Sequence, residues 1–525
     1  MAVSPPVAAA GELVSLDPVT LEPVGSVRRT AVEEIPGLVV EARLAQARWA
    51  DTQLAARSRL LADVAQVVLD RMDEIAVTLS AEVGKPPVEA YTTELIVALD
   101  HLVWLARNAG QVLRPERLPM PQLHLRHKRA HLLYEPYGVI GVIAPWNFPF
   151  SIPLVDAATA VVAGNAVVVK PSELTPLSGE WVERVFAEAG APAGLVRVIQ
   201  GEGETIGEAL VRARGLDKLF FTGSTEVGRR VAALAGERLC PVTLELGGKD
   251  PMLVFADADL ERAVAGALWG AFFNCGQACT SVERIYVEAG RYDEFVTRLV
   301  EAARSLRIGQ ELGPLVSSEE RERVEALVAE ALDDGADVVT GGRRPQCELP
   351  GWFHEPTVIT GVPEGSRIDT EELFGPVVTV ARFDSEAQAV EFANASPYGL
   401  GASVWTSDAA RASRLAARLE AGMVWVNDVS YSFGAGQASW GGVKQSGFGR
   451  THSKHGLYEC VRVKYADGDA GRMSVAWWFP YEPGLADGFH GLLGVLYGRG
   501  LAARVGAAWT HRLGLLAVAR RSLRR

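Results

Sequence analysis

The chain has 525 residues, of which 48% are hydrophobic and 22% charged, a globular composition long enough for two or three domains. Its net charge of −12 favours solubility and argues against a general nucleic-acid binder. Five cysteines without a CxxC pair predict neither a disulfide framework nor a metal site, and they fit a reducing compartment such as the cytoplasm. The first residues have no basic start and no sustained apolar core, so we expect no signal peptide.

Residues 35–113 carry the apolar periodicity of helices. The segment 119–136 then alternates apolar and polar residues, which is typical of an exposed strand or ribbon. Pro136–Val155 form a run of 20 residues without a charge, long enough to span a membrane. Because a proline stands at every fourth position late in this run, we interpret it as a buried strand that leads into a loop of the site.

Short β-branched runs then alternate with helical stretches in two series. This alternation predicts parallel α/β sheets, and two series predict two domains that divide near Gly247. The first series is VIGVIAP, NAVVVKPSE, LVRVIQG, KLFFTGS and VTLELGG, and the second is DPMLVFAD, RIYVEA, DVVTGG, VVTVARF, ASVWTS and MVWVND.

Three patterns contain residue types suited to chemistry on a carbonyl group. Cys279, in FFNCGQACTS, offers a thiolate nucleophile, which requires a lowered pKa, or else is a buried structural cysteine. Glu245, in LELGGKDP, stands at a strand end before two glycines and suits a general base for water, or a capping or ion-paired role. Asn147, in APWNFP, has its amide on a stiff loop, where it either donates to an oxyanion or satisfies a turn.

Two further patterns suit a nucleotide. Lys170 and Glu173, in KPSE, follow a strand at the sheet edge where open α/β sheets bind ligands, within reach of ribose hydroxyls. The stretch FFTGSTEVG, residues 220–228, follows a strand and opens a helix, so its amides can hold a pyrophosphate, although the spacing is not GxGxxG. In isolation, a turn or a helix cap explains each pattern equally well.

The joint order of these patterns resembles the aldehyde dehydrogenase superfamily over roughly residues 14–464. Eight stretches carry the resemblance: PWNFP, KPSE, FTGSTEVG, LELGGK, FFNCGQACTS, EELFGPV, NASPYGLGASVWT and WGGVKQSGFGR. The resemblance implies an α/β fold of two parallel α/β domains with a β-ribbon that mediates oligomerisation. The implied parts are a cofactor domain at 1–117 and 137–246, a catalytic domain at 247–457, the ribbon at 118–136 and 458–467, and a C-terminal extension at 468–525.

The resemblance also implies oxidation of an aldehyde to a carboxylate with NAD, or with NADP as the alternative. Cys279 would attack the aldehyde, Asn147 and the Cys279 amide would hold the oxyanion, and Glu245 would activate the water that hydrolyses the thioester. The implied cofactor contacts are Lys170 and Glu173 at the adenosine ribose, Gly223 and Ser224 at the pyrophosphate, Glu372 and Phe374 at the nicotinamide end, and Trp146 in the groove.

Two alternatives concern the cofactor and the product. The carboxylate of Glu173 would repel the 2′-phosphate of NADP, which favours NAD. CoA-acylating members of the family typically lack the acid matched by Glu245, which argues against a CoA thioester as product.

Two positions depart from the family's pattern. Many members carry a lysine where this chain has Asp156, and an acid where it has Thr451. Both positions lie, in the family, near the route by which the general base loses its proton. We expect either a rewired relay, with His452 as a candidate member, or a loss that water compensates.

The predicted substrate funnel is apolar. Family members that oxidise charged semialdehydes often carry an arginine at the position of Val155. Together with Phe148, Phe150 and Phe273, Val155 predicts a wall that does not suit a carboxylate, because a buried unpaired charge is costly. We therefore expect a small apolar aldehyde, whether aliphatic, aromatic or isoprenoid, and a homodimer or homotetramer.

The extension changes composition. From Arg499 onward the chain has no acid, and its arginines are Arg499, Arg504, Arg512, Arg520, Arg521, Arg524 and Arg525. Its apolar runs are too short to span a bilayer, but an apolar face with arginines and Trp509 is typical of an interfacial helix on an enzyme peripheral to the inner membrane face. A tail that packs on protein, anchored by Trp477 and Trp478, is the alternative.

Overall fold

The computed structural model describes residues 11–122, 125, 128–346, 350–469 and 475–523. Cys347, Arg524 and Arg525 lie outside these ranges. The described residues of Met1–Arg114 and Glu135–Arg462 form one compact unit, and those of Pro115–Tyr134 and Val463–Arg525 form a second.

After a first pair of strands, a run of helices precedes a long alternation of strands and helices. The strands are β1 (Glu12–Leu16), β2 (Pro23–Arg28), β3 (Glu116–Leu118), β4 (Lys128–Pro136), β5 (Val139–Ile143), β6 (Ala166–Lys170), β7 (Val196–Val198), β8 (Lys218–Thr222), β9 (Val242–Glu245), β10 (Asp250–Val254), β11 (Val282–Glu288), β12 (Asp337–Thr340), β13 (Thr357–Thr360), β14 (Val377–Phe383), β15 (Gly401–Trp405), β16 (Met423–Val426), β17 (Gly447–Phe448) and β18 (Val461–Asp469). The helices are α1 (Ile35–Ala50), α2 (Leu54–Asp70), α3 (Met72–Val83), α4 (Pro87–Glu89), α5 (Ile96–Val112), α6 (Ser151–Ala163), α7 (Pro176–Glu188), α8 (Glu208–Arg212), α9 (Thr225–Gly236), α10 (Leu260–Phe272), α11 (Tyr292–Ser305), α12 (Ser318–Asp333), α13 (Arg367–Thr370), α14 (Glu386–Asn394), α15 (Ala409–Arg418), α16 (Ser453–Glu459), α17 (Leu485–Tyr497), α18 (Leu501–Thr510) and α19 (Arg512–Leu523).

The first unit contains a six-stranded sheet in the order β17-β9-β8-β5-β6-β7. All five strands of the first predicted series are present and pair in parallel. Every residue of β5 and β6 is buried, because helices cover both faces of a parallel sheet and leave no face for polar side chains. The sixth strand, β17, pairs antiparallel with the end of β9 and brings residues 447–448 into this sheet, although they fall inside the predicted catalytic domain.

The second sheet of this unit has seven strands in the order β12-β13-β14-β11-β10-β15-β16. Its strands are parallel except at one edge, where β12 runs antiparallel to β13. The sequence did not predict β13, nor the antiparallel pair β1 and β2 near the start of the chain. The two sheets divide between Glu245 and Asp250, close to Gly247, and the predicted outer limits of the two domains stay a prediction.

The uncharged run 136–155 is a buried strand, as predicted, followed by a loop and the start of a helix. The strand is β5, and α6 begins at Ser151. Pro153 therefore lies in the first turn of α6, where a helix needs no amide hydrogen bond and tolerates proline. Among the described residues, no helix combines the length and the apolar character needed to cross a membrane.

The second unit contains a three-stranded sheet in the order β18-β4-β3 and the helices α17–α19. β3 and β4 are antiparallel, and both lie in or next to the predicted ribbon segment 118–136. The other predicted ribbon segment, 458–467, was placed too early, because Tyr458 and Glu459 belong to α16 and the strand begins at Val461. The apolar–polar alternation of a strand starts only at that valine.

Candidate active site

A cavity of about 670 Å³ in the first unit brings together a thiol and two carboxyl groups that are far apart in the sequence. Cys279, Glu245 and Asp156 all lie on its wall. Apolar and aromatic side chains of α5, α6 and α10 form much of the remaining wall. This is the concave, mostly apolar site with a few convergent polar groups that small molecules occupy in proteins.

Cys279 lies on an irregular loop that follows the end of α10. After α10, Asn274 and Cys275 have positive φ angles of 50° and 58°, so the helix cannot continue. The loop passes so close to Gly248 that a Cβ there would lie 2.1 Å from the carbonyl oxygen of Cys279. Only glycine fits at that position, which explains one of the glycines that follow Glu245.

The pKa of Cys279 differs from expectation. Burial raises the pKa of the Cys279 thiol, and the carboxylates of Asp250, Glu372 and Glu245 raise it further. This direction is opposite to the lowered pKa that we expected from the sequence, because folding surrounds the sulfur with protein and gathers acidic residues near it. The thiol proton has to leave when the sulfur reacts.

Glu245 is the last residue of β9, and its side chain is buried at the cavity wall. Neither carboxyl oxygen has a hydrogen-bond partner among the described residues. Burial raises the pKa of Glu245 well above its usual range, and the Asp156 carboxylate raises it further. A buried carboxyl without partners does not serve as a cap or an ion pair, and a raised pKa suits a general base near neutral pH.

Asn147 lies on the loop between β5 and α6 and is buried. Its side-chain amide donates to the Gln277 carbonyl at 3.0 Å, which ties it to the loop of Cys279. Its own carbonyl accepts from Lys85 Nζ at 3.0 Å and from Asn274 Nδ2 at 3.2 Å. The loop is thus held by both its backbone and its side chain.

The residues of the predicted proton relay face the same cavity. Asp156, Thr451 and His452 all lie on its wall. Burial raises the pKa of Asp156 to about 7. Burial lowers the pKa of His452 well below its usual range, and the neighbouring ring of His101, with centroids 4.0 Å apart, lowers it further. The structure brings these groups together, and a relay through them stays a prediction.

The predicted nucleotide contacts lie at the carboxyl ends of β6 and β8. Lys170 Nζ donates to Glu173 Oε2 at 2.7 Å, and Glu173 Oε1 accepts from the Gly203 amide at 3.4 Å. Ser224 is the N-cap of α9 and its hydroxyl accepts from the Val227 amide at 3.3 Å. The amides at the start of α9 and the Lys170–Glu173 pair are chemically suited to a pyrophosphate and to ribose hydroxyls.

The predicted contacts at the nicotinamide end come from two other loops. Glu372 accepts from the Gly248 amide at 3.0 Å, and burial raises the pKa of Glu372 to about 8. The Trp146 and Phe374 rings pack edge to face with centroids 5.4 Å apart. A Cβ on Gly247 would lie only 2.3 Å from Glu372 Oε2. The Glu372 carboxyl can therefore approach the backbone of the segment between the two sheets only because residue 247 is glycine.

Two of the four predicted funnel residues line the cavity. Phe148 and Phe273 lie on its wall, whereas Phe150 and Val155 do not, and both are buried elsewhere in the protein interior. The prediction was wrong for Val155 because the phase of α6 is set by its start at Ser151. Ile152 and Asp156, one helical turn apart on the same face, take the wall positions instead.

The aldehyde dehydrogenase family model matches residues 7–466. The chain belongs to the aldehyde dehydrogenase family. The resemblance in the eight stretches is therefore confirmed, and so is the α/β fold that it implied.

Similar proteins include enzymes with quite different substrates. This aldehyde dehydrogenase is 36% identical to a betaine aldehyde dehydrogenase of Bacillus subtilis, over 88% of the chain and 95% of that protein. It is 37% identical to a 4,4'-diapolycopene aldehyde oxidase of Methylomonas sp., over 88% of the chain and 86% of that protein. The crystal structure of a betaine aldehyde dehydrogenase from Staphylococcus aureus in complex with NAD+ superposes with a TM-score of 0.84, at 32% identity, over 89% of the chain and 96% of that structure.

Several wall residues of this aldehyde dehydrogenase were missed by sequence reasoning. The aromatic ones are Trp104, Trp269, Tyr431, Phe433 and Trp440. Trp269 stacks on Phe273 with centroids 4.3 Å apart. Trp269 and Phe273 are four residues apart at the end of a helix, and this spacing was an available signal, since such residues share a face. The segment 430–439 contains no apolar periodicity, and nothing in it indicated that its aromatic residues line the cavity.

Proposed function

We propose that the chain is a hydrolytic, NAD-dependent dehydrogenase of apolar aldehydes. The observation that carries the proposal is the position of Cys279 and Glu245 on the wall of one cavity whose remaining surface is largely aromatic and aliphatic. A nucleophile and a base within one apolar chamber suit a covalent mechanism followed by hydrolysis.

Acylation begins when the Cys279 sulfur attacks the aldehyde carbon. Burial raises the pKa of the Cys279 thiol, so its proton has to leave as the carbon–sulfur bond forms, and it passes to solvent. The Asn147 amide uses one N–H for Gln277, and its second N–H and the Cys279 backbone amide stabilise the oxyanion.

Deacylation returns the sulfur to its starting state. NAD, when bound, would supply the acceptor for the hydride that leaves the substrate carbon. The thioester on Cys279 is then attacked by water from which Glu245 takes a proton. The carbon–sulfur bond breaks, the carboxylic acid leaves, and the sulfur regains the proton that Glu245 took from water.

Several residues fit NAD. The Lys170–Glu173 pair and the start of α9 offer donors and acceptors to its ribose and pyrophosphate, and Glu372 offers a carboxyl to the other ribose. The NAD+ complex of the Staphylococcus aureus relative supports the same cofactor here. Glu173 is an anion at the predicted position of the adenosine ribose, so NAD is favoured over NADP.

A second candidate substrate is an aldehyde that carries an ammonium group. Aromatic rings such as Trp104, Trp269 and Trp440 bind cations through their faces, and Asp100 adds a negative charge to the cavity wall. The betaine aldehyde and aminoaldehyde dehydrogenases among the relatives support this candidate. We favour the apolar aldehyde because Arg107 lies on the same wall as Asp100 and opposes its charge.

Two aldehydes of the same shape distinguish the two candidates. Betaine aldehyde and tert-butyl acetaldehyde differ only in the charge of the head group. We expect kcat/KM with NAD to be at least about tenfold higher for the uncharged aldehyde, a difference of about 1.4 kcal/mol in transition-state binding. We also expect kcat/KM with NAD to rise with the length of linear aldehydes. For each aldehyde it should exceed the kcat/KM measured with NADP.

Three outcomes of these assays would contradict the proposal. A preference for betaine aldehyde would establish the ammonium candidate. A higher kcat/KM with NADP would remove the inferred role of Glu173. A CoA thioester in place of the free acid, when CoA is added, would exclude hydrolysis.

Substitution of Asp156 tests the raised pKa of Glu245. In Asp156→Asn, the acidic limb of the profile of kcat against pH should move to lower pH. The Asp156 carboxylate disfavours ionisation of Glu245, so its removal lets the base form exist at lower pH. Asp156→Glu retains the charge and should keep the limb in place. An unmoved limb in Asp156→Asn would show that the two carboxyls do not interact in the working enzyme.

We also propose that the sheet of β3, β4 and β18 joins subunits into a dimer or tetramer. This sheet is small and lies in the second unit, and much of β18 is exposed. Light scattering of the full chain measures the number of subunits directly.

We propose that the tail helices α17–α19 bind an anionic lipid surface. Small residues face inward: a Cβ on Gly488, Gly491 or Gly494 of α17 would lie within 2.4 Å of atoms in α18 and α19 or the turn between them. The large apolar side chains are exposed, namely Leu493, Tyr497, Leu501, Val505, Trp509, Leu513 and Leu516. A helical hairpin with small residues inside and large apolar residues outside suits contact with acyl chains.

The positive charges of the tail favour a membrane surface that is anionic. Arg499, Arg504, Arg512 and Arg520 are exposed, and each such residue near an anionic membrane contributes about 1 kcal/mol. Arg521, which was predicted to belong to the same basic face, is instead buried in an ion pair with Glu482 at 2.9 Å. The tail would place the enzyme where poorly soluble aldehydes partition.

Replacement of Leu501, Trp509 and Leu513 by serine should abolish flotation with vesicles of phosphatidylglycerol. The three side chains are exposed, so the triple variant should keep its fold and its turnover of short aldehydes. Wild-type flotation should weaken with salt, because charges are screened over about 8 Å at physiological ionic strength. Leu239→Ser, a change of an equally exposed leucine in the first unit, is the matched control. Equal flotation of wild type and triple variant, or a change in oligomer size in the triple variant, would assign the tail to protein packing.

A further inference from the structure

A buried ion pair lies behind the loop that carries Asn147. The side chains of Lys85 and Glu94 are both 0% exposed, and Lys85 Nζ lies 3.0 Å from Glu94 Oε1. Lys85 follows α3 and Glu94 lies in the π-helical segment Ala90–Leu95 before α5. Neither residue takes part in the proposed acylation or deacylation.

The lysine ammonium is fully engaged. Its three N–H groups meet the Glu94 carboxylate, the Asn147 carbonyl at 3.0 Å, and the ring of Phe148, whose centroid lies 4.6 Å away. The second oxygen of Glu94 accepts a hydrogen bond, at 2.7 Å, from the backbone amide of Ser151, the first residue of α6. The pair therefore clamps both ends of the segment from Asn147 to Ser151.

This clamp is joined to the loop of Cys279. Asn274 Nδ2 donates to the same Asn147 carbonyl that Lys85 binds, and Asn147 Nδ2 donates to Gln277. The backbone N–H of Asn274 donates to the Glu89 carboxyl at 2.8 Å. The direction of the Asn147 side chain relative to Cys279 is thus fixed by contacts that begin at Lys85.

A buried ion pair of this kind is seldom more stabilising than well-packed apolar residues, so stability alone does not account for it. We propose that Lys85 and Glu94 are positioning residues for the oxyanion. They hold the Asn147 loop so that the second N–H of its amide points at the oxyanion on the carbon bound to Cys279, where preorganised donors act most strongly. This inference rests on the proposed role of Asn147.

The chain contains a matched control. Lys249 and Glu283 form a second buried pair, 0% and 2% exposed and 2.9 Å apart. Lys249 also donates to the Glu371 carbonyl, and Glu283 accepts from the amides of Leu373 and Phe374. This pair holds the loop of Glu372, the predicted cofactor contact, in the way that Lys85 and Glu94 hold the loop of Asn147.

The test compares Lys85→Met and Lys249→Met at saturating aldehyde. Lys85→Met should lower kcat by about tenfold to a hundredfold, the usual effect of a small misplacement of a catalytic group, and leave KM for NAD unchanged. Lys249→Met should mainly raise KM for NAD. The two variants lose the same kind of interaction, so a merely structural role predicts the same kinetic change in both.

The decisive measurement is a double-mutant cycle with Asn147→Ala. If Lys85 acts through Asn147, Lys85→Met should lower kcat little further once Asn147 is alanine. An equal fractional loss in both backgrounds would overturn the inference. Wild-type kcat in Asn147→Ala alone would instead remove Asn147 from the proposed mechanism, which is a separate failure. Glu94→Gln, which is nearly isosteric and keeps an acceptor for Ser151, repeats the cycle if Lys85→Met does not fold.

Discussion

Cys279→Ala is expected to abolish aldehyde-dependent NADH formation while leaving NAD binding intact. Loss of the nucleophile in a covalent mechanism costs on the order of 10⁶-fold in kcat, because no remaining group forms the intermediate. The residues that suit NAD lie on other segments, so calorimetric titration with NAD should give the wild-type affinity. Turnover within tenfold of wild type would remove Cys279 from the mechanism.

Cys275→Ala is the matched control for this prediction. Cys275 lies four residues before Cys279 but is 1% exposed and packs in the apolar core of the seven-stranded sheet. Its loss should lower the free energy of unfolding by about 1 kcal/mol, as typical core substitutions do, and leave most of the activity. Loss of activity in Cys275→Ala without loss of stability would show that the assignment of the nucleophile is mistaken.

The positions of the candidate site residues were predictable because short sequence patterns, taken together with the resemblance to the family, indicate where they lie. A strand followed by two glycines puts Glu245 at the carboxyl end of β9, and a strand followed by PSE puts Lys170 at the carboxyl end of β6 in the same sheet. Such patterns act over a few residues and need no knowledge of the rest of the fold. The same holds for β5 and β6, whose uninterrupted apolar runs indicate strands that are buried on both faces.

Features that depend on where a helix begins were not predictable in the same way. Phe150 and Val155 are apolar and close to Asn147 in sequence, which suggested a funnel. Val155 lies off the cavity wall because α6 starts at Ser151, and a shift of one residue turns a helical side chain by about 100°. Phe150 precedes the helix and is also buried away from that wall. No local signal in an uncharged run fixes that starting point.

Features that depend on distant residues were also missed. The raised pKa of Cys279 comes from burial and from carboxylates that stand as far along the chain as Glu372. The contact between Lys85 and Asn147 joins positions that are 62 residues apart. Nothing in the sequence around either residue records its partner, so only the fold reveals the interaction.

Glu245→Gln is expected to stall the enzyme after the hydride has left. Gln has nearly the same shape but cannot take a proton from water, and general-base catalysis typically contributes about 10²–10⁴-fold. Rapid mixing with aldehyde and NAD should therefore show a burst of one NADH per active site, followed by a steady state slowed by that factor. The acylated Cys279 should be visible by mass spectrometry of the quenched protein.

The pH dependence of Glu245→Gln gives a second readout of the same role. The wild-type pKa of Glu245 is raised by burial and by Asp156, so the carboxylate forms only as pH rises and the deacylation rate should rise with it. This rise should be absent in Glu245→Gln. Glu82→Gln is the control, because Glu82 is also a buried carboxyl whose pKa burial raises, but it does not lie on the cavity wall. Glu82→Gln should keep both burst and steady state. Loss of the burst together with turnover in Glu245→Gln would place Glu245 before acylation, as the base that deprotonates Cys279.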